Sequence, residues 1–557
     1  MAGEDELVFV PLGGVGEIGM NLALYGFGQG KNRSWLAVDV GQSFGHDDLP
    51  GVDAVLPDVR FLVERKKNLL GIVITHAHED HFGGLFDLWP RLGVPVYMTP
   101  FTAGLLEAKR SGEHNAPKIP VTVVNQGESF EAGPFKVEFV PVSHSVPEAN
   151  ALAITTPAGK IVHTGDWKLD PTPGTGRATD ENRLAELGRE GVLALICDST
   201  NAVREGISPS ESEVALVLER MIAEAKHRVA VTTFASNISR IRSVAAAAQR
   251  AGRDVVIIGR AIRRAVDVAT ELGLLEGLPP FLDQDAYGYL PRERVVALMT
   301  GSQGEPRAAL SRIASGDHRA VALSAGDRVI FSSRPIPGNE RAIGSIINAL
   351  VDLGAEVVTD RDGLVHTSGH PRRDELRQMY DWIKPQVLVP VHGEPLHLQK
   401  QAMLGRSVGI PHVVETRNGR MTRLWPGKPE RLADVTSGRL FRDGNIVSTP
   451  DASGVADRRR LSFLGVISVS VVLSDSGEVL EDPALAVLGI PKADASGKLL
   501  YEIAQKAVDD ALDGMSKARK RDASVIEETV RRTVRGEIET VWGKRPTVIV
   551  HVTHVSD

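Results

Sequence analysis

At 557 residues the chain is long enough for roughly two to four domains, each with its own core. A net charge of −7 excludes a protein that coats nucleic acid through bulk charge, and the single cysteine, Cys197, excludes a disulfide framework or a cysteine-based zinc site and suits a reducing cytoplasm. The start, Met1 to Glu6, is acidic and lacks the basic head and apolar core of a leader, and no stretch nears the roughly 20 apolar residues of a membrane span, so a cytoplasmic protein without a membrane partner is expected.

The first strand is expected at Leu7 to Leu12. After it, Gly14-Val15-Gly16-Glu17-Ile18-Gly19 matches G-x-G-x-x-G, and Asp39 lies about 20 residues on, as in a dinucleotide site. A dinucleotide fold needs a helix in between. Instead Asn21 to Gly28 is short and apolar, and Gln29-Gly30-Lys31-Asn32 follows it, which reads as a strand and a hairpin turn. The glycines then serve a tight turn, and Asp39, ending the strand Trp35 to Val38, is placed to support a metal shell.

The apolar run Leu69 to Ile74 reads as a buried strand, and Thr75-His76-Ala77-His78-Glu79-Asp80-His81 follows at its end. His76 and His78, two apart, point the same way. Asp80 and His81, from the first turn beyond, face a second point nearby. Imidazoles with carboxylates suit Zn²⁺, so the cluster reads as a metal site. The same pattern recurs: His144 follows Phe139 to Val142, Asp166 follows Lys160 to His163 with Gly165 turning the backbone, and His392 follows Val387 to Val391. A lone histidine at a strand end is more often structural; the set fits ligation. The basic groups Arg260, Arg263 and Arg264, Arg372 and Arg373, and Lys517 to Arg521 each read as solvated faces.

From Ser208-Pro209-Ser210-Glu211, a helix start with a serine cap, helices and strands alternate. Val214 to Ala225 and Ile238 to Arg250 read as helices, Val229 to Thr232 and Val255 to Ile258 as strands, predicting a parallel sheet. A linker is expected around Thr449 to Gly454. Beyond it, a strand at Gly465 to Leu473, a helical stretch over 498–535 and a strand at Thr547 to Val552 predict a small α+β domain, with His551 and His554 as bystanders.

The series His76-Ala77-His78-Glu79-Asp80-His81, His144, Asp166 and His392 resembles the metallo-β-lactamase fold, an αββα sandwich with one or two zinc ions at its strand ends. The long interval before His392 resembles the β-CASP group, whose further motifs match Asp198 after Leu195-Ile196-Cys197, then His366-Thr367-Ser368-Gly369-His370, then His392-Gly393. Gly13 to Asn21, Thr233-Phe234-Ala235-Ser236-Asn237, Thr300 to Pro306 and Ser332 to Glu340 are similar to bacterial ribonuclease J, specifically from about residue 7 to 450 and more loosely beyond. The resemblance implies a metallo-β-lactamase domain at 1–205 and 356–450, an inserted β-CASP domain at 206–355, a linker at 451–460 and a C-terminal oligomerisation domain at 461–557.

It further implies two Zn²⁺ per subunit, with Mn²⁺ as the alternative ion. His76, His78 and His144 would hold one, Asp80, His81 and His392 the other, and Asp166 would bridge them. A shared, activated water would then attack the scissile phosphorus in line. Asp80, Asp198 and His370 form the expected catalytic set, with His370, oriented by Asp198, helping the leaving oxygen; Asp198 alternatively caps the following turn. His366, Thr367, Ser368, Gly369 and His370, with Ser236, resemble a pocket for an RNA 5′-monophosphate, in which hydroxyl, imidazoles and backbone amides freed by glycine bind the anion. The implied activity is 5′-to-3′ exonuclease and endonuclease cleavage of single-stranded RNA in RNA maturation, including rRNA, and mRNA decay. The implied partners are a second copy or a tetramer and other RNA-decay proteins.

Three other readings compete. A β-CASP DNA exonuclease differs in contacts to the sugar 2′-hydroxyl, which no motif locates. A hydrolase of small esters or thioesters would lack the insert and the His366–His370 stretch. A metal-free RNA-binding scaffold would have lost ligand positions, all of which are filled here.

Overall fold

The computed structural model describes residues 5–45, 48–113 and 115–556; residues 1–4 of the acidic start lie outside the described residues. Two compact units result, Met1–Phe44 with Ala54–Leu440, and Gly45–Asp53 with Phe441–Asp557.

Two sheets face each other in the first unit. One has the strand order Glu430–Asp434, Arg420–Trp425, Glu6–Gly13, Leu22–Gly28, Ser34–Val38, Leu69–Val73, Val96–Met98, Val121–Val123. The other runs His412–Val413, Val387–Val391, Ala194–Asp198, Gly159–His163, Asn150–Thr156, Phe135–Pro141, Ser129–Ala132. Strand side chains alternate between faces, so each sheet sends one set inward. Leu7, Phe9, Tyr25, Leu36, Val38 and Val73 of the first thereby meet Val137, Phe139, Leu152, Ile154, Ile196 and Val389 of the second in one buried core. The helix Pro395–Ser407 packs on the strand Val387–Val391, and Glu181–Glu190 packs on Arg373–Ile383.

Glu6–Gly13 and Leu22–Gly28 pair antiparallel, and Leu22–Gly28 pairs antiparallel with Ser34–Val38. The glycine-rich loop therefore closes a hairpin, with no crossover helix to receive a dinucleotide. Past that hairpin the pairing becomes parallel between Ser34–Val38 and Leu69–Val73, as it is among Gly159–His163, Ala194–Asp198 and Val387–Val391. Parallel pairing brings like strand ends together, and these are the ends that carry Asp39, His76, Asp166, Asp198 and His392.

The insert is a six-stranded, wholly parallel sheet in the order Leu282–Asp283, Asp254–Ile258, Val295–Met299, Val229–Thr232, Arg328–Phe331, Glu356–Val358. Its last strand runs past residue 355, because Glu356–Val358 pairs with Arg328–Phe331. Ahead of it, Ser210 caps the helix Glu211–Glu224 by accepting from the Glu213 N–H, while the Glu213 carboxylate accepts from the Ser210 N–H. That helix packs on Ile238–Arg250.

In the second unit Val466–Ser474 lies between Ala484–Leu488, antiparallel, and Thr547–Val555, parallel. Ile467, Val469, Val471 and Leu473 turn one face to two helices. The single helical stretch expected over 498–535 is in fact two helices, Leu500–Asp513 and Ala523–Trp542. Gly514 ends the first, and the Asp522 carboxylate starts the second by accepting from the Ser524 and Val525 N–H groups. Within the expected linker, Pro450–Ala452 is a 3-10 turn and Val455–Leu464 a helix of which Val455 alone is buried, so no apolar stripe announced it. Among the described residues no helix is long and apolar enough to cross a membrane.

Candidate metal centre

The chain leaves the strand Leu69–Val73, bends at Ala77, and passes through an extended His78 into the short helix Glu79–Phe82. This aims His76 Nε2 and His78 Nδ1 at one point, 3.1 Å apart, and His144 Nε2 joins them 3.0 Å from His78 Nδ1. Zinc–imidazole bonds of about 2.0–2.1 Å in a tetrahedron space nitrogens about 3.3 Å apart, close to what these three show. Burial, reinforced by neighbouring imidazoles, pushes His76 and His144 well below the ordinary imidazole range, and burial takes His78 down to about 4. Three neutral rings with converging nitrogens are a donor set that fits a cation.

A second set adjoins it. His81 Nε2 lies 3.2 Å from Asp166 Oδ2 and 3.6 Å from Asp80 Oδ2, and His392 Nε2 lies 3.6 and 3.9 Å from the same oxygens. Asp166 Oδ2 is also 3.7 Å from both His76 Nε2 and His144 Nε2, so it belongs to both sets, each of whose ligand atoms lie within 4.8 Å of one another. Although burial opposes ionisation of Asp166, His392 and His81 hold its carboxyl well below the usual range. Four-donor sets of imidazole and carboxylate fit Zn²⁺, and the chain meets that requirement twice over.

Partners behind the ligands fix their orientation, as ligating histidines require. His81 Nδ1 is 2.7 Å from Asp39 Oδ2, and Asp39, in the left-handed region at φ 63°, also accepts from the Thr75 N–H. His144 Nδ1 donates to the Gly369 carbonyl at 2.7 Å, and His392 Nδ1 to Asn21 Oδ1 at 2.9 Å. Asn21 Nδ2 donates in turn to the Asp80 carbonyl. The glycine-rich loop thus supports the second set: a Cβ on Gly14, at φ +80°, would sit 2.1 Å from Asn21 Oδ1, and the Gly16 N–H donates to the carbonyl of Gly393, next to His392. Asn21, Thr75 and the Gly369 carbonyl were not singled out in the sequence; only the position of Asn21 inside the Gly13–Asn21 motif hinted at it.

Beside the two sets, Asp198 is fully buried and makes two contacts. Its Oδ2 lies 2.7 Å from His370 Nδ1, and its Oδ1 accepts from the Thr200 N–H at 2.8 Å, capping the turn. Burial disfavours the charged His370, but Asp198 and then Asp166 prevail and raise it to about 9. Its ring stacks on His392 at 5.4 Å between centroids.

The rest of the His366–His370 stretch differs from expectation. Thr367 Oγ1 donates to the Pro209 carbonyl, and Ser368 Oγ accepts from Asn201 Nδ2 and from the His370 N–H. At Gly369 a Cβ would lie 2.5 Å from the His144 ring, so the position needs a glycine for that close approach. His366 is buried with Nδ1 unpartnered, and burial, then Arg240, Arg334 and Lys168, push it well below the ordinary imidazole range. Ser236 is half-buried ahead of the helix Ile238–Arg250, and among the described residues no hydrogen bond joins it to His366–His370. Arg240 of that helix makes the link instead, donating to the carbonyls of Val365 and Ser332 and pairing with Glu211.

Facing sheets with ion ligands at their strand ends, interrupted by a parallel α/β insert, define a metallo-β-lactamase fold with a β-CASP domain. Family models agree: beta-lactamase superfamily domain over 47–185, ribonuclease J beta-CASP domain over 226–350, Zn-dependent metallo-hydrolase RNA specificity domain over 354–414, and ribonuclease J C-terminal domain over 453–555. The chain is 53% identical to ribonuclease J of Sinorhizobium meliloti over 100% of its own length and 98% of that protein's. It is 39% identical to ribonuclease J of Mycolicibacterium smegmatis (98% and 96% covered) and 36% identical to that of Thermus thermophilus (98% and 95%). A crystal structure of a protein of unknown function from Enterococcus faecalis V583 shares the fold, with TM-score 0.53 and 18% identity over 75% of this chain and 100% of that one. The chain belongs to the ribonuclease J family.

Proposed function

We propose that this chain is a metal-dependent ribonuclease that removes mononucleotides 5′ to 3′ from 5′-monophosphorylated single-stranded RNA and also cuts internally, serving RNA maturation and mRNA decay in the cytoplasm. The observation that carries this reading is the pair of ligand sets sharing Asp166 Oδ2, with His370 and Asp198 alongside. His76, His78 and His144 would hold one Zn²⁺, Asp80, His81 and His392 the other, and Asp166 would belong to both, with Mn²⁺ as the alternative ion. Such a pair, when bound, supplies an activated water and stabilises the charge of an in-line phosphoryl displacement.

The protein's own part is positioning and proton transfer. Asp198 fixes the His370 ring through Nδ1, leaving Nε2 to meet the leaving oxygen and give it a proton; such help is worth about 10²–10⁴-fold. His366 Nδ1 and the Ser368 hydroxyl remain to donate to a terminal phosphate. A nucleotide docked there by its 5′-phosphate presents the next linkage to the ions. Residues 1–205 and the stretch from about 359 to 440 form the hydrolytic domain, 206–358 the insert, and 461–557 a module that pairs copies into a dimer or tetramer.

The test is turnover of 5′-end-labelled single-stranded RNA and DNA carrying a monophosphate, triphosphate or hydroxyl. Labelled mononucleotide from monophosphorylated RNA, lost on His76→Ala, is expected. Equal rates on all three ends remove the phosphate pocket, and equal rates on DNA favour the DNA exonuclease reading.

A further inference from the structure

A small cavity of about 20 Å³ lies between the two sheets behind the ligand cluster, bordered among others by Asn21, Asp39, His81, His163, Asp166 and Val391. That is room for roughly one water molecule. The oxygen of Asp166 that faces the imidazoles at 3.2–3.7 Å is Oδ2 in each case; the other, Oδ1, is buried and has no hydrogen-bond partner. A buried ionised carboxylate oxygen without a donor is costly, because it loses its hydration and receives nothing in exchange.

His163, at the end of the strand Gly159–His163 and three residues before Asp166, is a buried imidazole with no part in the ligand sets. Its Nδ1 is 2.7 Å from the Tyr25 hydroxyl, which is fully buried and has no other hydrogen-bond partner among the described residues. A buried hydroxyl with one polar neighbour gives its hydrogen to that neighbour, since accepting would leave the O–H orphaned. Tyr25 therefore donates to Nδ1, and His163 carries its proton on Nε2, as a donor. Burial keeps the ring neutral, down at about 4. No imidazole nitrogen of His163 lies within 4.0 Å of an Asp166 carboxylate oxygen, so a water between them is the way to connect the donor to the orphaned oxygen.

We infer that the cavity holds one ordered water, that His163 Nε2 donates to it and it donates to Asp166 Oδ1, and that Tyr25 and His163 are thereby positioning residues for the bridging carboxylate. Tyr25, His163 and the water donate in turn, Asp166 Oδ1 accepts at the end, and the chain holds Oδ2 turned toward both ion sites. Asp39 does the corresponding service for His81, with both of its oxygens already occupied by Thr75 and His81. The inference rests on Asp166 bridging the two ions as proposed above.

Three readouts on the full-length chain test it: zinc affinity by competition with a chromophoric chelator, the visible spectrum of the Co²⁺-substituted protein, and a high-resolution crystal structure. Tyr25→Phe keeps the ring and removes only the hydroxyl; His163→Phe removes the donor and fills space. Both should bind zinc about 10–100-fold more weakly and shift the Co²⁺ bands, with melting of the metal-free protein reporting whether each folds. His163→Gln, which restores a side-chain N–H, should recover part of the affinity lost in His163→Phe. An ordered water within hydrogen-bond distance of Asp166 Oδ1 is expected in the crystal. Zinc affinity within twofold of the parent for a folded Tyr25→Phe, or a dry cavity, overturns the inference. Asp166→Ala separates the two levels: if it leaves zinc binding intact the bridging role fails, whereas if it abolishes binding and Tyr25→Phe does nothing, the relay alone fails.

Discussion

The ligand cluster and the His366–His370 stretch are both rich in polar side chains, yet their chemistry is disposed in opposite ways. In the cluster, imidazole nitrogens and carboxylate oxygens converge on shared points, while their far sides are held by Asp39, Asn21, Thr75 and the Gly369 carbonyl. In the stretch, Thr367 and Gly369 serve the protein itself, the first bonding Pro209 and the second making room for His144. His366 Nδ1 has no partner on the protein, and the Ser368 hydroxyl, which accepts two hydrogen bonds, keeps its own hydrogen. A polar side chain at a functional motif is thus a ligand only when its partners on the protein leave an atom over.

The contrast can be broken or sharpened by substitution. The largest effect belongs to Asp166→Ala, which removes the oxygen common to both sets: zinc content by elemental analysis and RNA turnover should both fall to background. Retained zinc breaks the contrast at its root. His370→Ala should keep the metal and lower turnover by about 10²–10⁴-fold, so normal zinc content with lost activity is the expected signature. Gly369→Ala should weaken zinc binding by about 10–100-fold, since its Cβ must displace the His144 ring. An effect confined to 5′-end preference would instead restore the phosphate-cradle role for this glycine.

Smaller effects should divide the stretch itself. His366→Ala should reduce the preference for 5′-monophosphate over 5′-hydroxyl RNA about tenfold, the worth of one hydrogen bond to a charged group. Thr367→Val should leave that preference unchanged and cost about 1 kcal/mol of stability by denaturant unfolding, because its hydroxyl serves only the Pro209 carbonyl.

Much of this was legible in the residues. Continuous apolar runs located Glu6–Gly13, Leu69–Val73, Val229–Thr232 and Val387–Val391, and the polar residues after Leu69–Val73 and Val387–Val391 converge. The glycine pattern at Gly14–Gly19 was open to two meanings, and the missing helix after Asn21 decided between them. What stayed hidden depends on pairing across long separations. The Asn21–His392 hydrogen bond spans 371 residues, and the contact of Gly369 with His144 spans 225. Neither has a local signature. The break at Gly514–Asp522 was missed because apolar spacing continues on both sides, although Gly514 and the Asp522 cap mark it. Likewise Tyr25 and His163 read as an ordinary strand aromatic and a strand-end histidine until the two sheets face each other.

Anomalous diffraction at the zinc edge from crystals of the zinc-replete chain tests the shared carboxylate most directly. Two peaks about 3.5–4 Å apart are predicted, one among His76, His78 and His144, the other among Asp80, His81 and His392, with Asp166 between them. A single peak, or none, contradicts it.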